Sequence, residues 1–251
     1  MEQTDQEAFM PVKSPAHNQP KELKMKAPLV LAALAATMAL PLHAEDSADL
    51  NQRLSKATAV VRQIEGTPDG GIPDFIVSKA NCIAVIPSVK KAAFLVGASY
   101  GQGVVTCRTN RGWSAPVFIR LEGASFGFQI GGQATDLILV SVNDKGFEDL
   151  LHSKFKIGAD ASAAAGPVGR HASAATDILL SSELLTYSRA KGIFAGVDLN
   201  GAVVSQNQDD TNTFYGGAPK SYKEILKGDV PVPSGARRFV STVAKYFHST
   251  R

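Results

Sequence analysis

The sequence is poor in cysteine and histidine and has little excess charge, and each shortage excludes a class of function. Its 251 residues include 2 cysteines and 5 histidines, and 26 basic against 23 acidic residues leave a net charge of +3. Metal sites need several ligands at short spacings, whereas His152, His171 and His248 stand alone. The chain also lacks the strong positive charge of nucleic-acid binders. We therefore expect no metal, no cofactor and no nucleic-acid partner, so attraction to anions must be local.

The chain also lacks an apolar run of the length that crosses a bilayer. The run Leu29–Leu40 is well short of the roughly 20 residues that a spanning helix needs. Lysines precede it, and a Pro-Leu-His-Ala sequence that ends at Ala44 follows it. This order indicates a signal peptide over residues 25–44, cleaved after Ala44, rather than a membrane anchor. We therefore expect a periplasmic or secreted protein.

The regions on either side of this leader differ in composition. Residues 1–24 are polar and show no periodicity, so we expect them to be disordered or to precede a true start at Met25. Apolar residues make up 44% of the chain, which is enough for a real core. Residues 45–251 are therefore expected to form a single domain.

This domain begins with a helical pattern and continues as sheet. Apolar residues from Leu50 to Ile64 recur every three or four positions, which predicts an amphipathic helix with Arg53, Lys56 and Arg62 on its polar face. From Cys82 to Val142, short apolar runs alternate with turn residues and predict antiparallel strands, because the connections are too short for parallel crossovers. The expected strands are Cys82–Ile86, Ala92–Ser99, Gly103–Arg108, Ser114–Leu121, Ser125–Ile130 and Leu137–Val142.

Weaker signals complete the predicted fold. Gly158–Ala175 is rich in small residues and is expected to pack tightly as strand or loop. An Asn-Gly pair at Asn200 predicts a hairpin between two late strands. Further helices are expected at Pro73–Ala80, Asn143–Ser153, Ser221–Leu226 and Ala236–Phe247. The expected class is α+β, a mainly antiparallel sheet or partial barrel with an N-terminal amphipathic helix and C-terminal helices.

The two cysteines, Cys82 and Cys107, both lie in strand-like apolar stretches. In an exported protein they meet an oxidising compartment, which favours a disulfide between them. The alternative is a pair of buried thiols.

Two Gly-x-Ser-x-Gly matches test for hydrolase chemistry. They are Gly97–Gly101, centred on Ser99, and Gly123–Gly127, centred on Ser125. The motif needs a strand-to-helix elbow, but strand-like sequence follows both serines. A serine hydrolase therefore remains a minor alternative.

Small basic clusters are the better candidates for a binding site. They include Lys90-Lys91, Arg108 with Arg111, Arg170, Arg189 with Lys191, and Arg237-Arg238 with Lys245. A basic residue near an anionic membrane contributes about 1 kcal/mol, so three or four on one face would give useful attraction. Any single cluster is more often a solvated face.

Four sequence blocks resemble the signature blocks of the SYLF domain family. In the family's order they are Trp113–Pro116, Gly127–Gly131, Gly166–Arg170 and Tyr187–Val197, and the similarity extends from about Leu50 to about Phe247. The resemblance implies a single non-catalytic domain that binds phosphoinositides, known from membrane-trafficking and actin-patch proteins and from bacterial exported relatives. It also implies membrane contact through an N-terminal basic amphipathic helix.

The main hypothesis is therefore non-enzymatic binding of anionic, phosphoinositide-like lipid head groups at a membrane surface. The alternative is an envelope protein-interaction or structural module, actin-binding-like by family resemblance. The apolar stripe of Leu50, Leu54, Val61 and Ile64 either inserts shallowly into the membrane or packs on the sheet. The residues expected to contact lipid are Arg53, Lys56, Arg62, Lys90, Lys91, Arg170, Arg189 and Lys191.

Overall fold

The centre of the fold is a curled sheet that carries helices on both faces. The structure, a computed structural model, describes residues 47–66, 71–93, 96–126, 133–169, 181–190, 193–217 and 220–248. All of them belong to one unit, His43–Arg251. The predicted leader, residues 25–44, and the stretch before it lie outside the described residues, as do Arg170, His171 and Lys191.

The described helices are α1 (Ser47–Glu65), α2 (Asp74–Lys79), α3 (Asp144–Leu151), α4 (Gln208–Phe214), α5 (Tyr222–Lys227) and α6 (Arg237–Tyr246), and a 3-10 turn at Ser234–Ala236 leads into α6. The strands are β1 (Cys82–Ala93), β2 (Val96–Thr109), β3 (Gly112–Trp113), β4 (Val117–Phe126), β5 (Gln133–Ser141), β6 (Lys154–Lys156), β7 (Ala163–Ala165), β8 (Leu184–Ala190), β9 (Ile193–Gly196) and β10 (Val203–Gln206). In the part of the chain that is described, no helix combines the length and apolarity needed to cross a bilayer.

The sheet is antiparallel apart from one pair of short strands. Its order is β6-β10-β4-β2-β1-β5-β8-β7, with β3 beside β2 and β9 beside β8. Only β7 and β8 are parallel among the described pairs. This arrangement confirms the predicted α+β class, with its half-barrel sheet, N-terminal helix and C-terminal helices.

Several predicted strand boundaries are wrong because β1 continues through a bulge. The prediction ended a strand at Ile86 and began another at Ala92, but β1 runs on past Pro87 and Ser88 to Ala93. Proline has no N–H for the ladder. Ser88 adopts a positive φ of 53°, and its N–H donates to Asp136 Oδ1 at 2.9 Å instead. The strand bends at this bulge and continues beyond it.

Other strand boundaries were also predicted wrongly. The predicted strand Ala92–Ser99 is divided between the end of β1 and the start of β2, and Gly103–Arg108 is the second half of β2. Residues 117–121 of the predicted strand Ser114–Leu121 and the first two residues of Ser125–Ile130 belong to one strand, β4. The strands β3, β6 and β8 and helix α4 were not predicted, whereas β7 lies within the stretch expected as strand or loop. The predicted hairpin at Asn200 is wrong, because β9 pairs with β8 and β10 pairs with β4 and β6.

The apolar sequence of Cys82–Ile86 reflects burial on both faces of the sheet. All five side chains are fully buried. Ile83 and Val85 pack in the core layer of α1 and α6, whereas Ala84 and Ile86 pack in the layer of α5. A strand covered on both sides needs a continuous apolar run rather than an alternating one.

The apolar stripe of α1 packs on the sheet. Leu50, Leu54, Val61 and Ile64 are at most 2% exposed and share a core with Phe239 of α6. Burying one such side chain stabilises the fold by about 1.5–3 kcal/mol. Packing is therefore the correct alternative for this stripe, and the hypothesis that it inserts into a membrane is wrong for the folded domain.

The predicted disulfide is present. Cys82 of β1 lies directly opposite Cys107 of β2, and their sulfur atoms are joined at 2.02 Å. Both residues are fully buried in the core layer of α5. The bond therefore joins the two central strands.

Candidate functional site

A groove of about 220 Å³ lies between α1 and the bulge of β1. It brings together Lys56 and Lys90, which the sequence analysis identified in separate clusters. Its lining residues are Asp49, Gln52, Arg53 and Lys56 of α1, Pro87, Ser88 and Lys90 of β1, and Tyr100 and Gln102 of β2.

Two glycines of β2 allow the bulge to form. A Cβ at Gly101 would lie 2.7 Å from both the Ile86 and the Val89 side chains. A Cβ at Gly103 would lie 2.4 Å from the carbonyl oxygen of Val85. Because neither glycine carries a side chain, β1 can bend over β2 at this point. The bend sets the position of Lys90.

The residues that line the groove carry more positive than negative charge. Lys56 and Lys90 are exposed, and neither forms an ion pair within the described ranges. Lys90 lies opposite Tyr100 in the sheet, and the Tyr100 side chain is 43% exposed. Asp49 supplies one carboxylate at the lining. The groove therefore offers two ammonium groups beside a phenol.

Arg53 has a different position from the predicted one. Its side chain is 6% exposed, its Nη1 lies 2.6 Å from Asp210 Oδ2, and its guanidinium lies over the Phe118 ring at 5.5 Å from the ring centre. The assignment of Arg53 to the polar face is therefore wrong. Arg53 and Ala57 are four positions apart, about one helical turn, so both lie on the buried face of α1. Arg53 ties α1 to the core beneath the groove.

Asp210 is held from a second side by the cap of α4. Asn207 accepts from the Asp210 backbone N–H at 3.3 Å, and its amide also donates to Asp210 Oδ2. Arg120 donates to Asn207 Oδ1 at 3.0 Å. The carboxylate is thus satisfied by an arginine and an amide, as a buried charge requires. The Asn-x-x-Asp spacing of Asn207 and Asp210 is a capping signal that the sequence analysis missed.

A buried tyrosine extends this network. Thr211 donates to the Tyr222 hydroxyl at 3.0 Å, and the hydroxyl donates to the Phe118 carbonyl. Burial raises the pKa of Tyr222. The phenol therefore remains protonated and keeps donating over the whole physiological range.

Arg189, another predicted lipid contact, connects the bulge to α1. Its Nη1 lies 3.2 Å from Asp136 Oδ2 and also donates to Gln63 of α1. Asp136 holds the Ser88 N–H with its other oxygen. Arg189 is one-quarter exposed and has these internal partners. Arg189 of β8 therefore links α1 to β5.

The remaining predicted contacts are placed as follows. Arg62 is exposed on α1. Lys91 lies on β1, opposite Ser99 of β2, and its side chain is not among those described. Arg170 and Lys191 lie outside the described residues.

The two Gly-x-Ser-x-Gly matches lie side by side in the sheet. Ser99 of β2 pairs with Gly123 of β4, and Gly97 pairs with Ser125. Ser99 Oγ donates to the Gly123 carbonyl at 3.3 Å. Both serines therefore lie inside strands. A hydrolase of this motif needs its serine at a strand-to-helix elbow instead. In the described part of the chain, no group of three or more possible metal ligands is assembled.

Comparisons with known proteins agree with the resemblance in the sequence. A family model, Ysc84, described as a Las17-binding protein actin regulator, matches residues 122–246. The SH3 domain-containing YSC84-like protein 1 of Homo sapiens is 33% identical over 195 residues, which cover 75% of this chain and 56% of that protein. The same-named protein of Rattus norvegicus is also 33% identical and is covered to 57%.

A fungal relative shows the same pattern. Protein YSC84 of Saccharomyces cerevisiae is 34% identical over 197 residues, which cover 74% of this chain and 42% of that protein. The chain therefore spans little more than half the length of the animal relatives, and less than half of the yeast protein.

Proposed function

Because the chain belongs to the Ysc84 (SYLF) family, we propose that it is a non-enzymatic domain that binds anionic, phosphoinositide-like lipid head groups at a membrane surface. The observation that carries the proposal is the meeting of Lys56 and Lys90 in one groove. The family model is described as a Las17-binding protein actin regulator, a description that names binding and regulation rather than catalysis. The position of Ser99 and Ser125 inside strands also argues against hydrolysis.

The groove has the chemistry that a phosphate group requires. An ammonium group is a compact charge with three hydrogen-bond donors. The two ammonium groups of the groove can therefore bind different oxygens of one phosphate. The amides of Gln52 and Gln102 line the same groove and can bind the hydroxyl groups of a polyol head group. Arg53 remains bound to Asp210, so it supports the groove rather than the ligand.

The main prediction concerns the two groove lysines. We expect Lys56→Glu with Lys90→Glu to lower binding to vesicles of phosphatidylcholine and phosphatidylglycerol by about 30-fold or more, because each basic residue near an anionic surface is worth about 1 kcal/mol. Vesicle flotation measures the bound fraction. Both side chains are exposed, so the variant should melt like the wild type.

The matched control carries the same change elsewhere. Lys154→Glu with Lys156→Glu alters two exposed lysines of β6, an edge strand that β10 and β4 separate from the groove strands β2 and β1. We expect the control to float like the wild type. Equal flotation of both variants would exclude the groove as the binding site, and equal binding to vesicles of phosphatidylcholine alone would exclude recognition of the anionic head group.

A protein partner is the second candidate. The family model's description names Las17 binding and actin regulation. Arg111, Trp113 and Pro231 border a separate depression of about 290 Å³. Co-sedimentation with filamentous actin tests this candidate. Pelleting with actin combined with indifference to anionic vesicles would favour it over lipid binding.

We also propose that the domain is exported and acts in the periplasm or outside the cell after cleavage following Ala44. Support comes from the order of lysines, apolar run and Ala44 in the sequence. The Cys82–Cys107 bond is of a kind that persists in oxidising compartments. The mass of the exported protein tests the proposal, since it should begin at Glu45, and retention of residues 25–44 would contradict it.

A further inference from the structure

We propose that α6 supplies a second set of membrane contacts, so that the layer formed by α1 and α6 lies flat against an anionic bilayer. The inference rests on the proposed lipid function and adds to it a second contacting element and an orientation. It is carried by the position, exposure and charge of α6.

The two helices lie next to each other on one face of the sheet. Leu54 of α1 and Phe239 and Val243 of α6 belong to the same core. Gly235, just before α6, touches α1 so closely that a Cβ there would lie 2.3 Å from Asn51 Oδ1. The sides of α1 and α6 that face away from the sheet therefore form one surface, which we call the helical layer.

The helical layer exposes mostly positive charge. Its exposed basic side chains are Lys56, Arg62, Arg237, Arg238 and Lys245. Among the described side chains of these two helices, Asp49 is the exposed carboxylate, and α6 contains no acidic residue in its sequence. A field of one sign over adjacent helices attracts a surface of the opposite sign.

The opposite face of the sheet has a more balanced charge. Helix α5 packs there and exposes Lys223 and Lys227. Glu224 of the same helix and the neighbouring Asp229 are exposed as well. The electrostatic fields of neighbouring positive and negative side chains partly cancel. The positive field is therefore stronger on the helical layer than on this face.

The position of two arginines in α6 points to an external anion. Arg237 and Arg238 occupy the first turn, at the positive end of the helix dipole, where cations destabilise a helix. Within the described residues neither forms an ion pair. The fold therefore holds two unfavourable charges at its surface, and an anionic partner opposite them would compensate for both.

A lipid surface fits the helical layer better than a nucleic acid does. Single-stranded nucleic acids stack on exposed aromatic side chains, whereas the exposed residues of α6 are Arg237, Arg238, Ser241, Ala244 and Lys245. The whole chain has a net charge of only +3, far from the excess of a typical nucleic-acid binder. Cations spread over two adjacent helices match a flat charged plane.

The test reverses the charge of α6 alone. Arg237→Glu, Arg238→Glu and Lys245→Glu together should lower binding to vesicles of phosphatidylcholine and phosphatidylglycerol by about 100-fold or more, since each basic residue near the surface contributes a factor of roughly five to the affinity. The double variant Arg237→Glu with Arg238→Glu should still lose about 25-fold in binding and should melt at a higher temperature than the wild type, because glutamates replace arginines at the positive end of the helix. Lys245 is left unchanged in this comparison, because it lies in the last turn, where a cation is favourable. A variant that binds vesicles more weakly but melts at a higher temperature has lost a membrane contact and not its fold.

The control and the other outcomes are distinct. Lys223→Glu with Lys227→Glu, on the opposite face, should float like the wild type. If the wild type floats, Lys56→Glu with Lys90→Glu reduces flotation and the α6 variant does not, the α6 inference is wrong and the groove proposal stands. If the wild type fails to float, the proposed function itself is wrong. Binding of the wild type to a single-stranded oligonucleotide as tightly as to vesicles, lost in the α6 variant, would overturn the lipid assignment of this surface.

Discussion

Asp210→Ala should lower the free energy of unfolding by about 3–5 kcal/mol, the usual cost of removing one partner from a buried ion pair. The change leaves the Arg53 guanidinium, 6% exposed, without the carboxylate that lies 2.6 Å from it. It also removes the acceptor of the Asn207 amide. Urea unfolding followed by circular dichroism measures the loss. Because Arg53 lies beneath the groove, the variant should weaken the attachment of α1 as well.

The paired replacement separates the charge from the packing. Arg53→Met with Asp210→Leu removes both charges and keeps apolar volume, so it should lose much less stability than Asp210→Ala, because no charge is left buried alone. A loss below about 1 kcal/mol for Asp210→Ala, the value of an exposed pair, would contradict a buried position for these two residues.

The second large effect concerns the disulfide. Reduction of Cys82–Cys107 should lower the free energy of unfolding by about 3.5 kcal/mol, the chain-entropy value for the observed separation of 25 residues. The reason is that an open chain gains more freedom on unfolding than a closed loop does. Urea unfolding with and without reductant measures the difference.

The control for this effect is a variant without the bond. Cys82→Ala with Cys107→Ala should unfold at lower urea than the oxidised wild type, and reductant should leave it unchanged. Both cysteines are fully buried, so the replacement also loses some packing. An equal urea midpoint for oxidised and reduced wild type would show that the two thiols are not joined in solution.

The sequence predicts best where local pattern and burial coincide. The period of Leu50–Ile64 and the continuous apolar run Cys82–Ile86 both identify buried elements correctly, because each pattern is a direct record of which side chains face the core. The strand boundaries fail at Pro87 and Ser88, because the bulge is stabilised by Asp136, which lies 48 residues away. Glycines within a strand, Gly101 and Gly103, were the available signal for it.

Long-range partners explain the errors at the site. The sequence pattern places Arg53 on the polar face of α1, because no local signal indicates its hydrogen-bond acceptor, Asp210, which lies 157 residues later. Helix α4 was missed because its sequence is polar, and its stability depends on this same pair and on the Asn207 cap. Lys56 and Lys90 were identified separately, but only the packing of α1 on the bulge brings them into one groove.

The most direct test of lipid binding is flotation of the wild-type domain with phosphatidylcholine vesicles that contain phosphatidylglycerol, measured at increasing salt. We expect clear binding at low ionic strength, none without the anionic lipid, and a steep loss of binding as salt shortens the Debye length below its roughly 8 Å at 0.15 M. Binding that persists unchanged in high salt, or no binding under any condition, would contradict the proposal that exposed lysines and arginines hold an anionic surface.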